Sequence, residues 1–188
     1  MSSLEHGPPL NDDIIKLFAR SGTRLDPTLT VFGQGTPSKL GDPETLDTKF
    51  RTFIPESAIP ARPNRPSDAQ RTAWINGIGI YQKLHDMGVQ LLDGTDALMT
   101  NVFHGPSVHW ELQFYNWGGL SPIDLLRMAT VVAAESVGAS ADLGSLQAGK
   151  IGDVVLLDAN PLEDIANTMK IWRVIKGGHV FDPAAIRK

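Results

Sequence analysis

A histidine and an aspartate occupy positions in this sequence from which they could bind a metal ion. His6 follows a strand-like stub and precedes a Pro-Pro turn, and Asp96 lies in a Gly-Thr-Asp turn just past the strand-like Leu91-Leu92. In a parallel α/β fold, side chains at the carboxyl ends of strands converge on the functional face. An imidazole and a carboxylate placed there are suitable ligands for a divalent cation.

Residue type and position alone leave a simpler interpretation open. His6 and Asp96 are 90 residues apart, and such a pair is more often a surface histidine and a turn-capping aspartate. His104 and His109 follow Asp96 in a stretch predicted to be irregular, on the same face, so each is a candidate for substrate contact or for helix capping and packing. We expect Glu111 to support this loop or the following helix rather than to act as an acid.

The elements that would position these residues alternate between strand and helix. A strand stub ending near His6 is followed by a helix that Asn11, Asp12 or Asp13 caps and Gly22 ends, and then by a strand-like run over 23–32 that Pro27 interrupts or ends. A helix over about 69–87, a strand over 89–93 and a helix over about 121–138, started by Ser-Pro, complete the series. This order predicts parallel βα units.

The residues after Gly138 have a different pattern. Strand-like runs over 153–158 and 171–176 are separated by a turn or short helix that begins at Pro161, and Gly177-Gly178 then predicts a hairpin with residues 179–181. The tail is therefore predicted to be antiparallel β. A proline-rich segment over 33–68 is predicted to be a long loop.

Composition excludes several classes of function. The chain has 188 residues, a formal net charge of −4 and no Lys/Arg-rich run, so we expect no nucleic-acid or membrane-surface partner. The absence of cysteine excludes a thiolate zinc site, an iron–sulfur cluster and a cysteine nucleophile. No apolar run approaches the roughly 20 residues that span a bilayer, and the first residues show no signal-peptide pattern.

Five motifs together resemble the last third of enzymes in the amidohydrolase superfamily of metal-dependent hydrolases. They are Leu4-Glu5-His6-Gly7, Asp26-Pro27-Thr28-Leu29, the Gly-Thr-Asp strand over 88–97, residues 109–112 with 119–130, and the tail segments 142–150, 153–158 and 160–165. The first three are similar to the sixth, seventh and eighth barrel strands of that family, and the tail segments to its small β-sandwich. The resemblance implies an α/β fold: a partial TIM-like barrel (strands 6–8) over 1–138, followed by a β-sandwich segment over 139–188.

The same resemblance implies roles for individual residues. His6 would be a metal ligand, and Asp96 would be both a metal ligand and the general base that deprotonates a metal-activated water. The family uses one or two divalent cations, usually zinc. The implied function is hydrolysis of amide-type C–N bonds in small-molecule or peptide-like substrates, with ester hydrolysis as a further alternative.

Other features of the family are missing from this sequence. The five histidines stand at 6, 85, 104, 109 and 179, so there is no His-x-His pair, and the family's fourth-strand lysine and fifth-strand histidine also lack counterparts. We therefore expect a C-terminal portion of such an enzyme. The alternative is a catalytically inactive structural fragment, or a subunit that needs a partner chain to complete its site. Exposed sheet edges would favour a homo-oligomer or a complementary chain.

Overall fold

The computed structural model describes residues 3–33, 67–99 and 102–185. Most of the proline-rich segment, at 34–66, lies outside these residues, so the predicted loop over 33–68 stays a prediction. In the described part of the chain, no helix is long and apolar enough to cross a membrane.

Short parallel strands open the fold, as predicted. Strand β1 (Ser3–Glu5) pairs in parallel with β2 (Arg24–Asp26), and Leu25 forms a further parallel bridge with Leu91. The 89–92 segment is thus the third member of this sheet, although it makes one bridge rather than the regular strand expected. Because the three segments run in the same direction, their carboxyl ends lie along one edge.

Helix α1 (Asp12–Ser21) connects β1 to β2 and begins and ends where the sequence predicts. The Asn11 side chain accepts hydrogen bonds from the backbone N–H groups of Asp13 and Ile14, and Gly22 ends the helix with a φ of 66°. Both features are standard helix caps. Ile15 and Phe18 form the buried face of the helix.

The strand-like run over 23–32 is shorter than its composition suggests. The strand ends before Pro27, and the last residues form a helical turn, α2 (Leu29–Phe32). Local β-propensity is overridden here because Glu111 accepts hydrogen bonds from the first N–H groups of α2. Helix α3 (Asp68–Asp86) then follows close to its predicted bounds.

Helix α4 (Pro106–Trp117) begins near the end of the stretch after Asp96 that is predicted to be irregular, and it is not itself predicted from the sequence. Its buried residues lie all around the helix, so the sequence lacks the one-sided apolar pattern by which helices are recognised. The next helix begins as predicted, with Ser121 as its cap and Pro122 in its first turn. It comprises α5 (Pro122–Arg127), a π-helical segment (Met128–Val132) and α6 (Ala133–Ser136).

The main core lies between the parallel strand segments and helices α1, α3, α4 and α5. Helix α3 contributes Trp74, Ile78, Tyr81 and Leu84, which all pack in or against this core. The fully buried side chains of this core include Ile15, Leu25, Leu84, Phe114, Tyr115, Leu120, Leu125 and Ile165.

The C-terminal residues form the antiparallel sheet that the sequence predicts. Strands β3 (Val154–Leu157), β4 (Ile171–Lys176) and β5 (His179–Phe181) lie in the order β3-β4-β5. The expected turn or short helix at Pro161 is a turn followed by a 3₁₀ segment (Ile165–Met169) that packs on α4. The described chain is therefore α/β, with one parallel and one antiparallel sheet.

Candidate active site

Three turns follow the carboxyl ends of the parallel segments and carry His6, Thr28 and Asp96. Each of these residues has a positive φ angle, of 66°, 51° and 51° respectively. This left-handed conformation is uncommon for residues other than glycine, and typically costs on the order of 1–3 kcal/mol per position. Because backbone strain of this kind clusters at functional sites, these turns mark the candidate site.

The side chains of His6 and Asp96 face each other across the strand ends. His6 Nε2 lies 4.0 Å from Asp96 Oδ2, and the two side chains are 51% and 41% exposed. The other ring nitrogen of His6, Nδ1, is 2.9 Å from Oγ1 of Thr28. The structure thus brings together the two residues singled out in the sequence, at a position that solvent reaches. Their metal-binding and catalytic roles stay predictions.

Hydrogen bonds at the ends of β1 and β2 hold the turn that carries Thr28. The Thr28 hydroxyl donates to the carbonyl oxygen of Pro27 at 2.8 Å, and the Thr28 backbone N–H donates to Asp26 Oδ1 at 3.3 Å. The His6 backbone N–H donates to the carbonyl oxygen of Asp26 at 2.7 Å. These bonds fix the position of the Thr28 hydroxyl relative to the His6 ring.

Asp26 directs its buried carboxylate toward the glycine of the Gly-Thr-Asp turn. A Cβ atom on Gly94 would lie 1.7 Å from Asp26 Oδ2, so the close approach of the two strand ends requires glycine here. Burial, followed by the negative charge of Glu5, raises the pKa of Asp26 to about 6, whereas hydrogen bonds from the backbone of Thr28 and Gly94 lower it. Asp26 is therefore a structural carboxylate beneath the site.

Asp93 is a second buried carboxylate, which precedes Gly94. Both of its oxygens are shielded from solvent, and neither has a hydrogen-bond partner within the described part of the chain. Burial raises the pKa of Asp93 well above its usual range, and the charges of Glu111 and Asp26 add to this effect. Sequence reasoning missed Asp26 and Asp93 as part of this region. The available signal was that each is an acidic residue at the end of a buried strand.

Glu111 supports helix α2, which precedes it in the chain, and not the loop or the following helix that is expected from the sequence. Its fully buried carboxylate accepts hydrogen bonds from Leu29 N at 2.6 Å, from Thr30 N at 2.7 Å and from Thr30 Oγ1 at 2.5 Å. Burial raises the pKa of Glu111 to about 8, and these three hydrogen bonds oppose the increase. Glu111 therefore joins α4 to the turn that carries Thr28.

The two weaker candidates, His104 and His109, lie in different environments. His104 is exposed in the turn before α4, whereas His109 lies within α4 and is partly buried. Burial lowers the pKa of His109 to about 4, so its imidazole is neutral over the physiological range. The prediction that His109 lies in a loop is wrong, because residues 106–117 form a helix. A role in substrate contact remains a prediction for both histidines.

The donor set at the strand ends fits part of a divalent cation site. An imidazole nitrogen and a carboxylate oxygen are ligands that zinc accepts, and here they face each other within 4.0 Å. No group of three or more His, Cys, Asp or Glu side chains suited to a metal occurs among residues 3–33, 67–99 and 102–185. His6 and Asp96 therefore provide two donors of an incomplete ligand set.

Comparison with known proteins assigns the chain to a family. A sequence profile of the amidohydrolase family matches residues 75–181, which is more than half of the chain and includes Asp96. The chain belongs to the amidohydrolase family. Ochratoxinase from Aspergillus niger is 40% identical to it over 106 residues, which are 54% of this chain and 21% of ochratoxinase. The present sequence thus covers about a fifth of that curated relative.

Solved structures of amidohydrolases resemble nearly the whole chain. A putative prolidase from Bifidobacterium longum matches 96% of this chain and 42% of its own, with a TM-score of 0.65 and 29% identity. The crystal structure of the Aspergillus niger ochratoxinase matches 96% of this chain and 37% of its own, with a TM-score of 0.64 and 27% identity. A Xaa-Pro dipeptidase has the same fold over 97% of this chain, with a TM-score of 0.67 and 22% identity.

Proposed function

We propose that this amidohydrolase-family chain carries one side of the active site of a metal-dependent hydrolase that cleaves amide-type C–N bonds. The observation that carries the proposal is the pairing of His6 Nε2 with Asp96 Oδ2, 4.0 Å apart at the ends of parallel strand segments. Relatives named as ochratoxinase, prolidase and Xaa-Pro dipeptidase support hydrolysis of small or peptide-like substrates.

Asp96 is the proposed general base. Its carboxylate is partly exposed and its backbone is held in a strained turn, so an oxygen atom is available to a water molecule and a substrate. It would take a proton from the attacking water as the new C–O bond forms, and return it to the nitrogen as the C–N bond breaks. His6 would bind the divalent cation from the side opposite Asp96.

His6 Nε2 and Asp96 Oδ2 are the atoms that would hold a divalent cation, for which zinc is our proposal. When bound, such an ion supplies Lewis-acid polarisation of the scissile carbonyl and lowers the pKa of water. The two donors found here are fewer than the three protein ligands typical of catalytic zinc sites.

We place the proposed site in a partial barrel domain over 1–138, in which β1, β2 and the 89–92 segment correspond to barrel strands six to eight. Residues 139–188 would then be a segment of the small β-sandwich. Among the described residues the donor set has two members, which favours a second candidate function, in which the chain is a subunit that becomes active only when a partner chain supplies further ligands. A catalytically inactive structural fragment is the remaining alternative.

Zinc titration of the purified chain by calorimetry tests the proposed site. We expect His6→Ala and Asp96→Asn each to weaken zinc binding by at least about tenfold, because the first removes a ligand and the second replaces an anionic carboxylate with a neutral amide. The matched controls are His179→Ala and Asp158→Asn, which change an exposed histidine and an exposed aspartate of the C-terminal sheet region. These controls should leave zinc affinity unchanged.

The zinc-loaded chain should then be assayed for hydrolysis of N-acyl amino acids and Xaa-Pro dipeptides. Activity that Asp96→Asn abolishes would support the hydrolase. Zinc binding without activity would favour the subunit that needs a partner. Zinc affinity unchanged by both His6→Ala and Asp96→Asn would exclude the proposed site.

A further inference from the structure

We infer that Thr28 is a positioning residue, which fixes the tautomer of His6 so that the lone pair of Nε2 faces Asp96. The inference rests on the proposed function for the role of His6, but the proton positions follow from hydrogen bonds around Thr28 alone. Thr28 is thereby added to the candidate site. Its hydroxyl would orient the metal ligand His6 without touching the cation or the substrate.

The hydrogen-bonding capacity of the Thr28 hydroxyl determines which tautomer His6 adopts. A threonine hydroxyl has one proton to donate and lone pairs to accept. The carbonyl oxygen of Pro27, which can only accept, lies 2.8 Å from Thr28 Oγ1 and takes that proton. The hydroxyl must therefore act as the acceptor toward His6 Nδ1, which is 2.9 Å away. Nδ1 accordingly carries the ring proton of the neutral imidazole.

This assignment leaves Nε2 of His6 unprotonated on the side of the ring that faces Asp96 Oδ2. An unprotonated nitrogen is what a divalent cation requires of a histidine ligand, and a hydrogen bond to the second nitrogen orients the ring and makes the ligand more basic. The alternative tautomer would point an N–H group at Asp96, and would need a proton from Thr28 that Pro27 already takes.

The surrounding structure holds Thr28 in a conformation that a β-branched residue otherwise avoids. Its φ is 51°, and its neighbours Leu29 and Thr30 donate their backbone N–H groups to the buried carboxylate of Glu111. The Thr28 N–H also donates to Asp26 Oδ1. Hydrogen bonds on both sides of Thr28 thus hold a backbone conformation that threonine does not favour by itself. Strain that is maintained in this way indicates that the Thr28 side chain has a role at this position.

Nitrogen NMR of the full chain tests the inference without reference to activity. Long-range ¹H–¹⁵N correlation spectra at about pH 8.5, well above the usual histidine pKa of about 6.5, distinguish a protonated ring nitrogen from an unprotonated one. The His6 signal is identified by its loss in His6→Gln. We expect Nδ1–H in the unmodified protein, a mixture of tautomers in Thr28→Val, and Nδ1–H again in Thr28→Ser, which restores the hydroxyl.

Zinc affinity provides the second readout. We expect Thr28→Val to weaken zinc binding by about 10–100-fold, and Thr28→Ser and the control Thr23→Val to leave it nearly unchanged. An Nε2–H tautomer in the unmodified protein would overturn the inference even if Thr28→Val failed to fold. An Nδ1–H tautomer that persists in folded Thr28→Val would also overturn it. Failure of the proposed function is distinguishable, because the unmodified chain would then show the Nδ1–H tautomer but no zinc binding.

Discussion

Individual residues at the strand ends meet conflicting demands of conformation and chemistry. His6, Thr28 and Asp96 each adopt a left-handed backbone conformation that glycine would adopt at lower cost. Gly94, by contrast, has no unusual φ and is needed for space, because the Asp26 carboxylate occupies the position of its missing side chain. Polar side chains that could bind or react thus occupy the strained backbone positions, and glycine occupies the position where two strand ends approach closely.

Substitution of Gly94 tests this account. Gly94→Ala should lower the free energy of unfolding by about 1–3 kcal/mol, because the new methyl group forces the Asp26 carboxylate to move. The matched control is Gly79→Ala in α3, where the added methyl group meets open space and should raise stability by about 0.5–1 kcal/mol. Urea denaturation of the three proteins measures both changes. Equal stability of Gly94→Ala and the unmodified chain would contradict the packing described here.

Residue type and position made His6 and Asp96 candidates, and the resemblance to the amidohydrolase superfamily gave them roles, but neither pointed to the carboxylates beneath them. A histidine or aspartate next to a turn is conspicuous because few residue types bind metals. Asp26 and Asp93 resemble the many acidic residues that bracket strands, and only the three-dimensional packing shows that their oxygens lie inside. The contact of Thr28 with His6 joins residues 22 positions apart, and no local pattern predicts such a pairing.

At the scale of elements, the sequence predicts the helices whose first or last residues are characteristic capping residues. Helix α1 with its Asn11 cap and αL Gly22, and the Ser121-Pro122 helix start, are examples. Helix α4 has Pro106 in its first turn but no side-chain cap at Gly105, and it is buried on several sides, so its start is weakly marked and its buried face could not be predicted from the sequence. Helix α2 depends on Glu111, more than 80 residues away in the chain.

The connection between α2 and α4 through Glu111 leads to a prediction about stability. Glu111→Gln should lower the free energy of unfolding by about 1–3 kcal/mol, because the amide NH₂ group must face one of three hydrogen-bond donors within a buried site. Glu163→Gln is the control, since Glu163 is exposed and accepts a hydrogen bond from nearby Asn160. Guanidinium denaturation followed by tryptophan fluorescence compares them. A loss confined to Glu163→Gln would contradict the prediction.

At the scale of the whole molecule, buried titratable groups couple stability to pH. Burial raises the pKa of Glu111 from 4.5 in the unfolded chain to about 8 in the folded chain. At pH values between these two, the folded chain therefore binds more protons at Glu111 than the unfolded chain does. Stability from this group is therefore lost as pH rises through 8. His109 has the opposite effect, because its pKa falls from 6.5 to about 4, and stability from it is lost as pH falls below 6.5.

The two effects separate above about pH 7.5, where His109 is almost entirely neutral in both the folded and the unfolded chain. We expect the free energy of unfolding to decrease between about pH 7.5 and 9, as Glu111 and the buried Asp93 oppose ionisation. Urea denaturation at several pH values in this window gives the slope. In Glu111→Gln the decrease should be smaller, whatever the absolute stability of that variant. A stability that rises over this window would contradict burial of neutral carboxyl groups.

The C-terminal sheet presents an apolar face that bears on the predicted self-association. Val155 pairs with Val174, and Val174 pairs with Phe181, so these three side chains form a row across the sheet. Trp172 also lies on β4, beside the register shift between Leu156 and Leu157 in the pairing of β3 with β4. Val155, Trp172 and Phe181 are 53%, 51% and 43% exposed. Several large apolar side chains exposed on one small sheet favour an interface there.

If the exposed apolar side chains of this sheet mediate self-association, a charge in place of the largest of them, Trp172, should prevent association. Trp172→Glu should shift the chain from dimer toward monomer, because burying an unpaired carboxylate against apolar side chains is unfavourable. Leu17→Glu is the matched control, since Leu17 is 54% exposed on α1, outside this face. Sedimentation velocity over a range of protein concentrations separates the species. A dimer that persists in Trp172→Glu but dissociates in Leu17→Glu would place the contact elsewhere, and a monomer in every variant would contradict the predicted oligomer.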